Sequence, residues 1–472
     1  MASDRSDKKP DGTFEWHDTI SRSPQPEPAV KAEDHIEALT PELPPLTTTT
    51  ERKLMAKIDW HIVPCLCVLY LLAFLDRVNI SNAAVLGLQT DLNIVTGTKY
   101  NTALTIFFVP YVIFEIPSNI LLKKLKPHSA CQGFYLLGMW YKRSEAQKRF
   151  SFFFSSTTLA GAFGGLLASG LGKMDGVRGY GGWRWVFIIE GVITCVVAIV
   201  WFFIIPGFPE DVKWLNEEER TYIRAKLARD VGKAGHDAHM GWRDVLAVFK
   251  DYKIFLGGFM YFGQVVTAYG YAFFAPTIIK TYGYGTIQTQ LYSIPPWAAA
   301  FAFSMVIATF SDQTRHRLAF TLIPTAIAMA GFGILLNVHG EAHRHAQYGA
   351  LFMVTSGCYS AMPVIICWFA MNLGGHRRRS VGTAWQVGFG NTGGIISTYA
   401  FLAKDAPLYR NGYIISLSFI CFSAACCIGY FVAVWTENKR RDRVMANGAP
   451  AELREDEEDV QGDLAVTYRY NY

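Results

Sequence analysis

Residues 61–84 read HIVPCLCVLYLLAFLDRVNISNAA, and this stretch decides the fold. It is apolar over most of its length, and about 20 apolar residues in a helix span the ~30 Å hydrocarbon core of a bilayer. The same stretch carries Asp76 and Arg77. A charge at the bilayer centre costs at least about 2.5–3.5 kcal/mol, so charged residues in such segments are rare and tend to be functional. The stretch therefore predicts a membrane-spanning helix whose two charged residues are either paired or functional.

Nine further segments of similar length follow along the 472-residue chain. The chain is 51% hydrophobic and only 18% charged, with a mean hydropathy of +0.17, whereas about a quarter of the residues of soluble proteins are charged. This composition excludes a disordered chain, and nine cysteines without a C-x-x-C pair indicate neither a disulfide scaffold nor a zinc site. The net charge of +5 argues against a nucleic-acid binder of the basic-patch type. The ten predicted spans are 61–84, 102–122, 151–172, 184–206, 254–275, 290–310, 318–337, 348–371, 382–403 and 412–435.

Loop charges predict the orientation. If the N-terminus is cytoplasmic, the short cytoplasmic loops and the end of the last span hold sixteen Lys and Arg residues, against eight on the other side. Positively charged loops stay on the cytoplasmic side. We therefore expect both termini inside the cell and a multi-pass protein of the plasma membrane.

The composition divides the chain into five parts. Residues 1–52 are polar and proline-rich and predict a disordered tail, because they cannot bury enough apolar surface to fold. Residues 53–207 hold four spans and residues 254–436 hold six, separated by a polar connector at 208–253. The sequence Asn216-Glu217-Glu218-Glu219 predicts the start of a connector helix of about fifteen residues. The acidic residues 437–472 predict a second cytoplasmic tail, disordered beyond residue 443.

Four charged positions lie well inside predicted spans, all in the first half: Asp76, Arg77, Glu115 and Glu190. A carboxylate in an apolar site is suited to taking up and releasing a proton, whereas a neighbouring Arg opposes that. Two interpretations stay open for these residues. They couple proton movement and anion binding, or they are neutralised pairs, Asp76 or Glu115 with Arg77, that brace the helices.

Uncharged polar residues complete the candidate site. Asp76, Asn79 and Asn82 recur every third residue and form a polar stripe that must face protein or water rather than lipid. In the second half, Tyr269, Trp368, Gln386 and Asn391 are candidate cavity residues, although buried aromatics more often pack than bind. The glycines of 161–165 and 388–394 favour close helix packing. The cluster His339, His343 and His345 reads as a solvated loop, because no acid or Cys completes a convincing ligand set, and we predict no metal and no cofactor.

These residues resemble a known family. Residues 76–83, DRVNISNA, are similar to the D-R-x-N-I-x-N-A signature of major facilitator superfamily transporters of the anion:cation symporter type. Residues 114–119, FEIPSN, resemble that family's F-E-x-P-S-N, and Trp140-Tyr141 with Glu145 and Arg149 resembles its W-Y-x-x-x-E-x-x-x-R loop. The matches also include Trp183-Arg184-Trp185 with Glu190, and Ser311-Asp312 with Arg317. Within the family the chain looks most like the fungal allantoate-permease group, which includes nicotinate, pantothenate and biotin carriers.

The resemblance also reveals a departure. Such transporters have twelve helices in two bundles. Here the second span ends near Leu125 and the motif that should follow a fourth helix begins at Trp140. Residues 127–139 are too short for one span, so the third helix and nearly all of the fourth are absent, with 134–139 as a remnant. The expected architecture is an all-α polytopic membrane protein with the major facilitator fold, in about ten spans.

The resemblance implies a secondary transporter and not an enzyme. We expect proton-coupled symport of a small organic anion by alternating access in a monomer, without nucleic acid. Asp76 or Glu115 would carry the proton, Arg77 would attract the anion, and Glu145, Arg149, Asp312 and Arg317 would form a cytoplasmic gate. The alternative is a transport-impaired isoform, a nutrient sensor or an interaction protein that binds without translocating.

Overall fold

The structure is a computed structural model. It describes residues 44–124, 137, 140–141, 143–205, 209, 212–231, 242–314, 316–374, 376–446, 463, 466 and 468–472. Most of the predicted N-terminal tail and of the 134–139 remnant lies outside these residues. Within the described part the chain is helical and contains no strand.

Four long helices and two shorter ones form the first half. They are α1 (Glu51–Val85), α2 (Lys99–Lys124), α3 (Arg143–Leu171), α4 (Gly182–Ile204), α5 (Glu217–Val231) and α6 (Trp242–Val248). A single turn, Leu88–Asp91, and the 3₁₀ turns Gly172–Met174 and Val177–Gly179 lie in the connections.

Six long helices form the second half. They are α7 (Tyr252–Thr281), α8 (Thr286–Thr314), α9 (Arg317–Asn337), α10 (Arg344–Met371), α11 (His376–Ala400) and α12 (Arg410–Ala446). The ten long helices coincide with the ten predicted spans. Seven of the helices in the described residues are long and apolar enough to cross a membrane by length and composition alone.

Local sequence explains several helix ends. Asp251 precedes α7, and its carboxylate accepts a hydrogen bond from the Lys253 backbone N–H at 3.1 Å, which satisfies one unpaired donor of the first turn. At α5, the carboxylate of Glu219 accepts from the Asn216 backbone N–H at 3.0 Å, the reciprocal half of a capping box. The 15-residue connector helix expected from this sequence is therefore present.

The helices pack around one large apolar core that crosses from the first half to the second. α8 lies along α3 and α10, while α7 lies along α11 and α12. Glycines permit the close approach of α3 to α8, because a Cβ at Gly161 would overlap the Trp297 ring and one at Gly165 would lie 2.6 Å from the Ser293 hydroxyl.

A second apolar cluster joins α1 to the connector. Leu54, Ile58 and Ile62 pack there with Trp140 and Tyr222. This cluster explains why α1 begins ten residues before the predicted span. The cluster lies near Arg149. We call this end of the molecule the basic end, because the helix ends found there carry Arg149, Arg317, Arg378 and Arg441. The other end is called the opposite end.

Two helices of the first half are poorly covered by protein. In the most apolar stretch of α4 only 6% of the residues are buried, and its mean hydropathy of 2.6 is the highest of the seven spans. α2 packs along α11 of the second half, and Ile106, Ile113 and Phe114 on it are exposed. Apolar surface is therefore left open beside both helices.

The C-terminal region differs from the expected disordered tail. α12 continues to Ala446, ten residues past the predicted boundary at 436. Tyr470 is buried, and residues 468–472 lie against the basic end.

Candidate functional site: an aromatic cage around a half-buried arginine

The site forms where α1, α2 and α7 meet. The Arg77 guanidinium of α1 donates a hydrogen bond to the Tyr269 hydroxyl of α7. Its carbon lies 4.8 Å from the centre of the Phe107 ring, 5.0 Å from Tyr111 and 5.5 Å from Tyr269. A cation over aromatic faces is stabilised by about 0.5–2 kcal/mol for each ring, more when water is excluded. The three rings therefore hold the guanidinium in place without neutralising its charge.

Arg77 has no carboxylate partner among the described side chains, and its Nε donates no hydrogen bond to them. Asp76, one residue earlier, points to another helix, where its carboxylate accepts from the Thr194 hydroxyl of α4 at 3.2 Å. The bracing pair Asp76–Arg77 is thus not formed. Glu115 lies in α2, but its side chain is outside the described part, so the alternative pair with Arg77 stays a prediction.

A cavity of about 180 Å³ opens beside the guanidinium. Asp76 and Arg77 lie at its wall together with apolar side chains of four helices: Ile80, Ala103, Leu104, Phe107, Phe187 and Phe273. At about 30 Å³ for each water in the liquid, this volume equals roughly six waters, the size of a small ring compound. The cavity thus combines mostly apolar walls with a cation that has no carboxylate partner among the described side chains.

The second half contributes Tyr269 and Asn391 to this site. Tyr269 stacks on Phe273 with 5.6 Å between ring centres, and its hydroxyl donates to the Asn391 side-chain oxygen at 3.5 Å. Gln386 is also buried, but its amide donates to the Gly257 carbonyl at 3.1 Å and so braces α11 against α7. Trp368 lies at the basic end, where its indole donates to the Asn471 carbonyl at 2.9 Å. Trp368 and Gln386 are therefore bound to other partners rather than to Arg77.

Glu190 lies in a different cavity. Its carboxylate is buried, and neither oxygen makes a hydrogen bond with the described residues. Asn79 and Asp76 are close enough to interact with it electrostatically. The cavity, of about 260 Å³, is otherwise lined by apolar side chains: Leu71, Leu72, Leu75, Phe163, Leu167 and Ile193.

The polar stripe of α1, expected to face protein or water, is divided, because Asp76 is exposed whereas its other two residues face protein. Asn79 and Asn82 are both buried. The Asn82 carbonyl accepts from the Gln290 amide of α8 at 3.1 Å, which ties the two halves together. Further bonds close the opposite end, where Thr105 meets Thr398 at 2.6 Å and Lys280 donates to the Val85 carbonyl at 3.2 Å.

The four expected gate residues take part in three separate ion pairs at the basic end. Arg317 binds the Asp312 carboxylate at 3.2 Å and the Ser311 hydroxyl at 2.8 Å. Arg149 instead pairs with Asp59 of α1, at 2.6 Å from Nε to Oδ1. Glu145 pairs with Lys226 of the connector at 2.8 Å. The Glu145 and Arg149 side chains thus do not pair with each other.

The sequence analysis missed Lys226. Its side chain is only 2% exposed, and Glu51 binds it at 2.8 Å in addition to Glu145. Burial lowers the pKa of this ammonium, but the hydrogen bonds and charges of Glu145 and Glu51 outweigh burial and raise the pKa overall. Lys226 therefore stays charged at neutral pH and fastens α5 to α1 and α3. The signal was weak, because a single Lys among the charged residues of a polar helix is usually solvated.

The fold and this site define the class of the molecule: a multi-pass helical membrane protein with an arginine that pairs with no described carboxylate, in a cavity lined by helices of both halves. Residues 132–430 match the family model of the Major Facilitator Superfamily. An uncharacterized transporter from Schizosaccharomyces pombe is 30% identical over 460 aligned positions, which include 89% of this chain and 90% of that protein. The chain belongs to the Major Facilitator Superfamily, whose members are transporters.

Two further comparisons bear on the site. The high-affinity nicotinic acid transporter of Saccharomyces cerevisiae is 28% identical over 492 aligned positions, which include 94% of this chain and 90% of that protein. In structure, a proton:xylose symporter bound to 6-bromo-6-deoxy-D-glucose matches with a TM-score of 0.56 at 14% identity, covering 79% of this chain and 95% of the symporter. That likeness confirms the fold.

The lengths of these alignments reveal a gap. For the yeast nicotinic acid transporter, 94% of 472 residues is about 444, some 48 fewer than the 492 aligned positions. For the S. pombe transporter, 89% is about 420 residues, some 40 fewer than 460. Each relative therefore has about 40–50 positions without a counterpart in this chain.

Proposed function

We propose that this chain binds a small organic anion, of the nicotinate or allantoate kind, in the cavity beside Arg77. The observation that carries the proposal is the guanidinium itself, which is surrounded by aromatic rings and lacks a carboxylate partner among the described side chains. A charge removed from water is costly unless it is paired. A carboxylate ligand would supply the missing partner, and the free Nε offers it a charge-assisted hydrogen bond.

The walls favour a flat ligand. Phe107 and Phe273 line the cavity, and aromatic side chains pack well against planar rings. The match to a nicotinic acid transporter supports a ring that carries a carboxylate. The allantoate-permease type suggested by the sequence motifs is consistent with the same site, since allantoate is also a small carboxylate.

We infer that transport is coupled to a proton carried by a carboxyl group of the first half. Glu190 is the best-placed candidate, because it is buried without a hydrogen-bond partner among the described residues. A carboxyl group in such a place is far less costly to bury neutral than charged. Asp76, which lines the anion cavity, and Glu115 are the other candidates for the proton carrier.

The rest of the proposal follows the family mechanism of alternating access. The two halves would rock around the Arg77 site in a monomer. We propose that the basic end faces the cytoplasm and that the protein lies in the plasma membrane, since both agree with the loop charges. Asp312 and Arg317 on one half, with Glu145 and Arg149 on the other, would then hold the cytoplasmic side when it is closed.

Uptake of labelled nicotinate tests the proposal. Yeast that lacks its own nicotinate transporter should gain uptake on expressing this chain, and a protonophore should abolish it. Uptake by Asp76→Asn equal to that of the parent would remove Asp76 from the coupling. If neither nicotinate nor allantoate binds to the purified chain at all, the anion proposal is wrong.

A second candidate function is binding without translocation. We propose that the third helix and most of the fourth are missing between α2 and α3, which accounts for the 40–50 unmatched positions of the relatives. The uncovered surfaces of α2 and α4 support this location, since two further helices would cover them. A chain that binds nicotinate but does not take it up would favour this candidate. A transcript with an in-frame segment of about sixty codons between codons 125 and 140 would identify the complete form.

A further inference from the structure

The last residues of the chain bind across the basic end of the second half. Residues 468–472, Tyr-Arg-Tyr-Asn-Tyr, have no helical structure and run over the ends of α9, α10 and α12. Tyr468 reaches the end of α10, where its hydroxyl donates to the Met371 carbonyl at 3.0 Å. The Tyr472 carbonyl accepts from the Arg317 backbone N–H at 2.7 Å, in the first turn of α9.

Two asparagines clamp the backbone of this segment. The Asn438 side chain of α12 accepts from the Tyr470 N–H and donates to the Tyr470 carbonyl, both at 3.0 Å. Asn372 makes the same pair of bonds with Asn471, at 2.7 and 3.0 Å. Each amide thus satisfies both backbone groups of one residue, as a neighbouring strand would. This pattern recognises an extended backbone at two successive residues.

Tyr470 is the side-chain anchor. Its ring is buried, with the Lys253 ammonium 4.4 Å and the Arg441 guanidinium carbon 4.7 Å from the ring centre. Its hydroxyl accepts from Lys253 at 2.8 Å and donates to the Asp463 carbonyl at 2.9 Å. Both partners of a buried hydroxyl are therefore in place, and two cations face the ring.

An acidic residue extends the contact to a further helix. The buried Asp463 pairs with Arg378 of α11 at 2.7 Å, and Arg378 also binds Asp251 before α7 at 2.7 Å. Arg441 donates to the carbonyls of Tyr468 at 2.8 Å and Asp463 at 2.9 Å. The described residues of the tail therefore touch groups at the ends of α7, α9, α10, α11 and α12.

We propose that the basic end of the second half contains a binding site for an extended tyrosine-bearing peptide, and that residues 468–472 together with Asp463 occupy it as an intramolecular staple. The lining residues explain why the site needs an occupant. Trp368, Asn372 and Asn438 are each at most 3% exposed, and their polar groups bind the tail. Removing the tail leaves these donors and acceptors unpaired or forces the helix ends apart to admit water. The staple is independent of any ligand at Arg77.

Thermal unfolding of the full chain in detergent tests the staple. Tyr470→Ala removes the anchor and should lower the unfolding temperature by at least about 2 °C. Asn372→Ala should lower it as well in the parent chain but should add nothing in the Tyr470→Ala background, because the tail has already left. Asn471→Ala is the matched control, since this side chain is exposed while its backbone bonds remain, and it should change nothing. If Tyr470→Ala does not fold, Tyr470→Phe takes its place in the test. This variant loses only the hydroxyl and should lower the unfolding temperature by a smaller amount.

Tryptic cleavage after Arg469 gives an independent measure. The Tyr470 N–H that follows this bond is held by Asn438, so cleavage requires the tail to detach. Release of the tripeptide Tyr-Asn-Tyr, followed by mass spectrometry, should be at least about tenfold faster in Asn438→Ala than in the parent or in Asn471→Ala. Equal release from all three chains, or additive effects of Asn372→Ala and Tyr470→Ala on the unfolding temperature, would show that the tail is not docked.

Discussion

Replacing Arg77 by lysine keeps the positive charge but removes the geometry of the site. A lysine ammonium is compact and cannot offer two parallel N–H donors to a carboxylate or stack flat on an aromatic ring. The guanidinium faces the rings of Phe107, Tyr111 and Tyr269 at 4.8–5.5 Å between centres. We therefore expect Arg77→Lys to fold and to bind the anion weakly.

The size of the effect follows from the lost contacts. A hydrogen bond to a charged group contributes about 1.5–3 kcal/mol, and every 1.4 kcal/mol changes a dissociation constant tenfold. Losing one such bond predicts a dissociation constant for nicotinate that rises about 10- to 100-fold. Arg77→Gln also removes the charge and should abolish measurable binding.

Binding of labelled nicotinate to the purified full chain in detergent measures this directly. Arg184→Lys is the matched control, because Arg184 also lies over two aromatic rings, Tyr180 at 5.9 Å and Trp183 at 5.2 Å, but does not line the cavity. The reasoning is refuted if Arg77→Lys binds as tightly as the parent, or if Arg184→Lys loses as much affinity.

Three further predictions concern the proton, the interface and the connector. Glu190→Gln should fold normally and bind nicotinate without taking up a proton, measured with a pH-indicator dye; unchanged proton uptake would exclude Glu190 as the carrier. Gly161→Ala should cost about 1–3 kcal/mol of stability, because its Cβ overlaps Trp297, whereas Gly333→Ala, with open space around it, should not lower the unfolding temperature. Lys226→Met leaves Glu51 and Glu145 without their buried cation and should lower the unfolding temperature by several degrees, in contrast to the exposed Lys213→Met. Equal effects of the two lysine variants would contradict a structural role for Lys226.

The helices were predictable because each is encoded locally. Membrane-length apolar segments need no partner to be recognised, and all ten appear as long helices. The helix after Asn216 was equally predictable, since capping depends on residues three positions apart. Helical periodicity predicted that Asn79 and Asn82 face protein or water rather than lipid, and both are buried in protein.

The neighbours of Arg77 were not predictable in the same way. Tyr269 was a candidate, but Phe107 and Tyr111 were not, because the face that α2 turns to α1 and α7 is set by tertiary packing. Glu145 and Arg149 lie four residues apart, which suggested a pair, yet Lys226 and Asp59 bind them from other helices. Spacing within a segment therefore identified the residues, but not their partners.

The docked tail was hidden by its composition. The acidic residues 455–459 dominate the average over residues 444–472 and predict disorder. A signal was nevertheless present, because Tyr468, Tyr470 and Tyr472 alternate with polar residues, and a period of two is typical of an extended segment with one buried face. The average composition of residues 444–472 hides the alternating pattern of the five residues 468–472.

The packing of α2 decides how far binding and transport can be separated. α2 belongs to the first half by chain order, but it packs along α11 of the second half, with Asn101 bonded to the Phe401 carbonyl at 3.0 Å. If the halves rock apart, α2 follows the second half and withdraws Phe107 and Tyr111 from Arg77, which stays on α1. The rings of α2 would then separate from the guanidinium each time the halves rock, instead of moving together with it as one wall of the cavity. If a longer form contains the two helices proposed above, they would fill the space beside α2 and hold it to its own half. We therefore expect the present chain to bind its anion with the halves closed on each other, and such a longer form to keep the rings around Arg77 while it rocks.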